Sequence, residues 1–343
     1  MNRLRAFAFL LVLLLVVSSA SAQSPGYKVA KRFELGGDGR WDYVSVDAAA
    51  RRIYVSRQTR VMVADADSGK LIGEIPDTPG VHGIAIAPDL GRGFISAGGA
   101  NSITIFDLKT LAVISKVAVG QNPDSILYEP RNHRVFTFNG RSNDSTVLDA
   151  ATGTVAGTIP LGGKPEFSVH DDKGTIYVNI EDKSEIAAID AKTMKETARW
   201  PLAPCEEPTG LAIDRKKHRL FSACGGNKLM AISDFSAGKL IATVPIGAGS
   251  DGAGFDPDSG FAFSSNGQEG TLTVVGEEAP GKFSALQTVE TQRSARTMTI
   301  DPKTHAIYLP AAKFGPVPAA TPENPRPRPA MEPNSFVLLV VSR

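Results

Sequence analysis

Seven residues of this 343-residue sequence recur at a spacing of about 40: Asp42, His82, Asp124, Glu166, Thr209, Asp251 and Arg296. Each directly follows the residue that opens a strand-forming segment. In Asp124 and Glu166 that residue is the proline of a Gly-x-x-Pro turn, Gly120–Pro123 and Gly162–Pro165. Six of the seven can carry charge, so a fold that gathers them would build a polar site from distant parts of the chain. Carboxylates with few nitrogens favour a hard ion such as calcium or magnesium held by oxygen, with Asp124, Glu166 and Asp251 as the ligands. The wider set Asp42, His82, Asp124, Glu166, Asp251 and Arg296 suits a small ligand instead. A third possibility is a solvated polar rim with no ligand. Carboxyls brought close together raise one another's pKa unless a cation such as Arg296 stands between them.

Shorter motifs do not decide among these. The sequence holds no Gly-x-Ser-x-Gly, His-Glu-x-x-His, Gly-x-x-x-x-Gly-Lys or Cys-x-x-Cys-His, so catalysis stays open. His133, His218 and His305 each fall ten residues after the residue that opens a segment, in a hairpin turn, and are expected to be structural. His170 occupies a strand position filled elsewhere by Ile86, Tyr128, Ile213 and Phe255, as a core histidine would. Arg57, Asn139, Arg141, Asn179 and Glu181, with Asn227, Asn266, Gln268 and Lys313, follow second strands and are expected to line the same face.

The elements that must position these residues follow from one period. Residues 124–165 read as four short strands separated by Pro130-Arg131-Asn132, Gly140-Arg141-Ser142-Asn143 and the turn that starts at Asp149. An aromatic residue follows the opening residue by thirteen positions in Trp41 to Tyr54, Val81 to Phe94, Pro123 to Phe136, Pro208 to Phe221, Ser250 to Phe263 and Ala295 to Tyr308. Pro165 to Tyr177 is one shorter. Asp65, Asp107, Asp149, Asp190 and Asp234 recur before the last hairpin, where a carboxylate can accept turn amides. Seven four-stranded units at this period predict an all-β, seven-bladed β-propeller of antiparallel blades, a fold that leaves no long open sheet edge. Inner strands converge at the axis, which suits the small residues of Gly83–Ala87, Gly210–Ile213 and Gly252–Phe255.

The ends of the chain complete the scheme. Residues 1–22 read as a cleaved signal peptide: a basic start with Arg3 and Arg5, a twelve-residue apolar run from Ala6 to Val17, and Ala20-Ser21-Ala22. The expectation is therefore a periplasmic or secreted protein with a single domain over 23–343 and no transmembrane segment. Removing both arginines takes the formal charge from +1 to −1, which offers no field to draw nucleic acid. The segment 27–35 resembles only the last strand of a repeat, while the seventh repeat stops one strand short. The N-terminal strand should therefore close the ring. A proline-rich insertion, 313–334, interrupts the seventh blade between its second and third strands and emerges on the face that bears the aligned charges. Cys205, in the loop entering the fifth blade, and Cys224, after that blade's second strand, lie on that same face, and an oxidising compartment favours a disulfide between them over a thiol or metal pair.

Arg52-Ile-Tyr-Val-Ser56, Thr175-Ile-Tyr-Val-Asn179 and Ala306-Ile-Tyr-Leu309, with the Gly-x-x-Pro turns, resemble the YVTN repeat of YncE-like seven-bladed propellers across essentially the whole mature chain. The resemblance implies an exported, monomeric binding protein that takes a small molecule or a protein on the channel-mouth face. Nucleic-acid binding and adhesive roles have been proposed within the family, but this chain lacks a basic, aromatic-rich face. Related propellers include metal-dependent lactone hydrolases and lyases with Glu, Asn, Asp or His at the channel mouth. Asp42, His82, Asp124, Glu166 and Asp251 could serve there, which makes such an enzyme the alternative. A quinone-dependent dehydrogenase fits less well, since only Trp41 and Trp200 occur.

Overall fold

The computed structural model describes residues 24–321, 324–325 and 327–343, so the expected signal peptide lies outside the described residues. Seven separate four-stranded antiparallel sheets make up the fold. Blade 1 spans 44–75, blade 2 81–118, blade 3 123–160, blade 4 165–201, blade 5 208–245 and blade 6 250–290. The innermost strands of consecutive blades touch, and that of blade 7 touches that of blade 1, which closes a seven-bladed propeller. Among the described residues no helix is long and apolar enough to cross a membrane.

Burial within a blade follows the position of each strand. Second strands such as Arg134–Asn139 are buried almost throughout, because neighbouring blades cover both of their faces. Fourth strands such as Val113–Ala118 form the rim and are mostly exposed. At the axis the backbones approach so closely that side chains must be small. A Cβ on Gly210 would lie 2.4 Å from the amide nitrogen of Ala253 in the next blade. The recurrent aspartates cap their turns as expected. Asp107 Oδ1, for example, accepts the amides of Lys109 and Thr110 at 3.0 and 2.7 Å. His133, His218 and His305 all adopt φ between 49° and 59°, the left-handed turn conformation that Gly91 and Gly260 supply in other blades. Their place is set by the hairpin.

Blade 7 is assembled from both ends of the chain. Its strands run Thr299–Ile300, Ile307–Ala311, Val337–Ser342 and then Lys28–Glu34, which pairs antiparallel from Lys28 opposite Ser342 to Glu34 opposite Val337. Arg57, wholly buried, clasps the exit of this strand. Its guanidinium donates to the carbonyls of Gly39 and Gly36 at 3.1 Å and of Asp38 at 2.5 Å, and lies 3.7 Å from the centre of the Phe336 ring. The disulfide forms between Cys205 and Cys224, with 5.5 Å between their Cα atoms. Closing a loop of this length stabilises the fold by about 3 kcal/mol through the unfolded chain.

Deleting residues 24–36 should expose the Val337–Ser342 edge and remove one of the three carbonyl acceptors of Arg57, that of Gly36. The expected outcome is a lower melting temperature with concentration-dependent aggregation, read by calorimetry and light scattering. An unchanged melt and a monodisperse sample would contradict ring closure by this strand.

Candidate functional site

Because each blade begins at the axis, the residue that enters each first strand lies at one end of the central channel. Asp42, His82, Asp124, Glu166, Asp251 and Arg296 accordingly line one cavity of about 870 Å3. Thr209, the uncharged member of the series, instead donates its hydroxyl to the carbonyls of Ala223 and Ser250 at 3.2 and 3.1 Å. The proline-rich insertion lies over one side, contributing Phe314 and Arg328 to the wall. It is held by a bridge between Phe314 and Met331, by Phe314 packed on Trp41 with ring centres 5.9 Å apart, and by Arg40, which donates to the Pro329 carbonyl at 2.6 Å.

The charges are interleaved. Arg296 pairs with Asp42 at 2.9 Å and with Asp251, so blade 7 reaches both neighbouring blades. His82 Nδ1 lies 2.5 Å from Asp42 Oδ2 and 3.6 Å from Asp124 Oδ1. Glu166 pairs with Lys164 at 2.6 Å, and the same ammonium also holds Glu181. Of the three carboxylates expected to bind a metal, Glu166 is thus held by Lys164 and Asp251 by Arg296. Asp124 faces His82 instead. The three side chains whose donor atoms lie within 4.8 Å of one another are Asp42, His82 and Asp124.

Burial sets the protonation of this cluster. Burial works against the Asp42 charge, but the His82 hydrogen bond and Arg296 outweigh it and hold the carboxyl below its usual 3.8. Burial likewise works against a charged His82, but Asp42 and then Asp124 outweigh it and lift the imidazole above 6.5. Burial pushes Asp124 up to about 6, with the Asp42 charge adding to it against the pull of His82. Beneath them, burial and the charges of Asp124 and Glu166 push the Tyr43 phenol well above 10. For Lys164 burial is outweighed by Glu166 and Glu181, which raise its pKa. The cluster therefore holds an ionised carboxylate, an imidazole that charges readily and a carboxyl that titrates near neutrality.

Tyr43 is also the floor of the cavity. It lines both the mouth and a second chamber of about 400 Å3 along the channel, walled by residues such as Ile126, Val169, Leu211 and Ile300. Its ring packs against Phe167 with centres 5.3 Å apart.

Several expected lining residues are not at the surface at all. Arg57, Asn139, Asn179 and Asn266 are wholly buried. Asn139 donates to Asp144 and Thr146, Asn179 to the carbonyls of Thr209 and Gly210, and Asn266 to Thr271 and Thr273. These side chains bind the inner blade together. His170 is half-buried beside Asp172 at 2.9 Å, and burial lowers its pKa. Conversely Arg40, Tyr43, Lys164 and Arg328 line the cavity although the aligned position does not include them. Lys164 carried a signal, since it precedes the turn proline in the one blade whose entry residue is glutamate.

The fold is similar to that of a chain of hydrazine synthase from Kuenenia stuttgartiensis, with a TM-score of 0.69 over 86% of this chain and 95% of that one, at 13% sequence identity. At that identity the likeness shows the fold alone. No family model and no curated protein matches the chain.

Asp124 gives a testable pH signature. A carboxyl raised on folding keeps its proton where the unfolded chain has lost it, so its contribution to stability is present below about 4 and lost as pH rises through about 6. Asp124→Asn has no proton to lose. Variant stability minus wild-type stability should therefore rise by roughly 2–3 kcal/mol between pH 4 and pH 7 in urea unfolding. A difference that stays flat over this range would contradict the placement of Asp124.

Proposed function

We propose that this chain is an exported, monomeric propeller of the YVTN-repeat, YncE-like kind, and that it binds a small molecule in the channel-mouth cavity without catalysing its conversion. One observation carries this reading. The aligned charged positions of six blades meet on the wall of a single cavity of about 870 Å3, within the size range of ligand sites, and the longest insertion lies over it. Blade packing alone does not require ionisable groups at these positions; the Thr209 hydroxyl fills the same place in blade 5 with two backbone hydrogen bonds. Export is supported by the Cys205–Cys224 disulfide, which suits an oxidising compartment, and by the signal-like first 22 residues. A protein partner on the same face would meet the insertion first.

A second reading has its own support. Asp42, His82 and Asp124 place three donor atoms within 4.8 Å of one another, and Glu166 and Asp251 supply further oxygens around the same cavity. Such a set fits a metal-dependent hydrolase or lyase acting on a cyclic ester, with calcium or magnesium as the ion and the metal polarising the ester carbonyl.

Thermal melts separate the two readings. Binding predicts that some members of a small-molecule panel raise the melting temperature of wild type, and that the shift shrinks when 316–329 is replaced by a short Gly-Ser linker. A silent panel would contradict it. The metal reading predicts a shift with calcium, magnesium or manganese that Asp124→Asn combined with Glu166→Gln abolishes, because amides keep the shape and lose the charge. No shift with any of the three ions would remove that reading.

A further inference from the structure

The four Lys and Arg side chains on the cavity wall match its four Asp and Glu in number but not in placement. Asp42 and Asp251 are taken by Arg296, Glu166 by Lys164, and Asp124 faces His82 at 3.6 Å. Two guanidinium groups on the wall remain, Arg40 and Arg328, and among the described residues neither pairs with a carboxylate. Arg40 makes one hydrogen bond, to the Pro329 carbonyl, and its guanidinium lies 5.4 Å from the centre of the Phe314 ring. It is half-buried and close enough to Arg328 and Arg296 for their charges, after burial itself, to depress its pKa. Three like charges therefore line one part of the concave surface, Arg40 and Arg296 half-buried and Arg328 exposed.

Like charges held together away from bulk water are unfavourable unless an anion offsets them, and guanidinium forks match the oxygens of a carboxylate or phosphate. The opposite wall has the other character. Asp124 and Glu166 offer acceptors suited to hydroxyl donors, and Trp41 and Phe314 add apolar surface to the wall. We propose that the mouth cavity takes a small hydroxyl-bearing oxyanion, a sugar acid or sugar phosphate, with its anionic group between Arg40 and Arg328, beside the ion-paired Arg296, and its hydroxyls toward Asp124 and Glu166. This deepens the ligand-binding reading and rests on it. The insertion then has a defined role, since it brings Arg328 to the site and fixes Arg40 through Pro329.

Tryptophan emission provides the readout. Trp41 lines the cavity, whereas Trp200 is buried in blade 4 against Tyr177, so a Trp200→Phe variant reports from the site alone. Titrations would use D-gluconate and D-glucose 6-phosphate as oxyanions, D-glucose as the neutral match and D-glucosamine as the cationic one. The expected result is a saturable change with at least one oxyanion, with the neutral and cationic sugars at least about tenfold weaker. Arg40→Gln combined with Arg328→Gln should weaken the oxyanion by about tenfold or more. Gluconate binding without glucose 6-phosphate binding, or the reverse, selects the carboxylate or the phosphate form of the same proposal. Neutral or cationic sugars binding as tightly as the oxyanions would overturn the anion assignment and leave the ligand site standing, as would oxyanion binding untouched by the double variant. Silence from every sugar, together with a silent thermal panel, would overturn both.

Discussion

The closure of the ring by the N-terminal strand is the constraint on which the rest of the molecule depends. A propeller blade cannot bury its faces without neighbours on both sides, so an open seventh sheet would unsettle blades 6 and 1 as well. Pairing Lys28–Glu34 with Val337–Ser342 removes that opening, and Arg57 secures it from within. Burial lowers the pKa of Arg57 to about 10, still high enough for the guanidinium to remain charged at neutral pH. Such a buried charge tolerates its place because three carbonyls and the Phe336 ring surround it.

Closure also builds the mouth. Asp42 follows the closing strand by eight residues and Arg296 precedes the first strand of blade 7 by three, yet they meet at 2.9 Å across 254 residues of sequence. Thr297 adds a second link by donating its hydroxyl to the Asp42 carbonyl at 2.5 Å. From this junction the charges continue around the channel, Arg296 to Asp42, Asp42 to His82, and His82 toward Asp124. Partly desolvated chains of this kind contribute little net stability, because the cost of taking each charge from water offsets most of the attraction. Removing one member is costly, since its partner is left buried and uncompensated. An arrangement that adds little to folding yet resists change is what a binding site requires.

The blades and the charged ring were legible in the sequence because both repeat. Tyr54, Phe94, Phe136 and their counterparts mark second strands, and the residue that enters each first strand can only lie near the axis. Ring closure was legible for a related reason: 27–35 matches one strand of a repeat and the last repeat lacks one. Asn139, Asn179 and Asn266 misled because they look like turn residues, yet a second strand has neighbouring blades on both faces and stays buried to its last residue. Arg40 and Arg328 were invisible to the period, since one lies in the link after the closing strand and the other in the insertion, where no second copy exists for comparison. Lys164 sits in a turn whose geometry, not its spacing, carries the side chain back toward Glu166.

The most direct test of the channel mouth as the functional site is a crystal structure of the intact protein grown with the oxyanion that binds it best. The account predicts the anionic oxygens between Arg40 and Arg328, at about 2.7–2.9 Å from their nitrogens, with the insertion over them. Density for the anion on the outer rim of the blades or in the second chamber beyond Tyr43, with only water at the mouth, would contradict it.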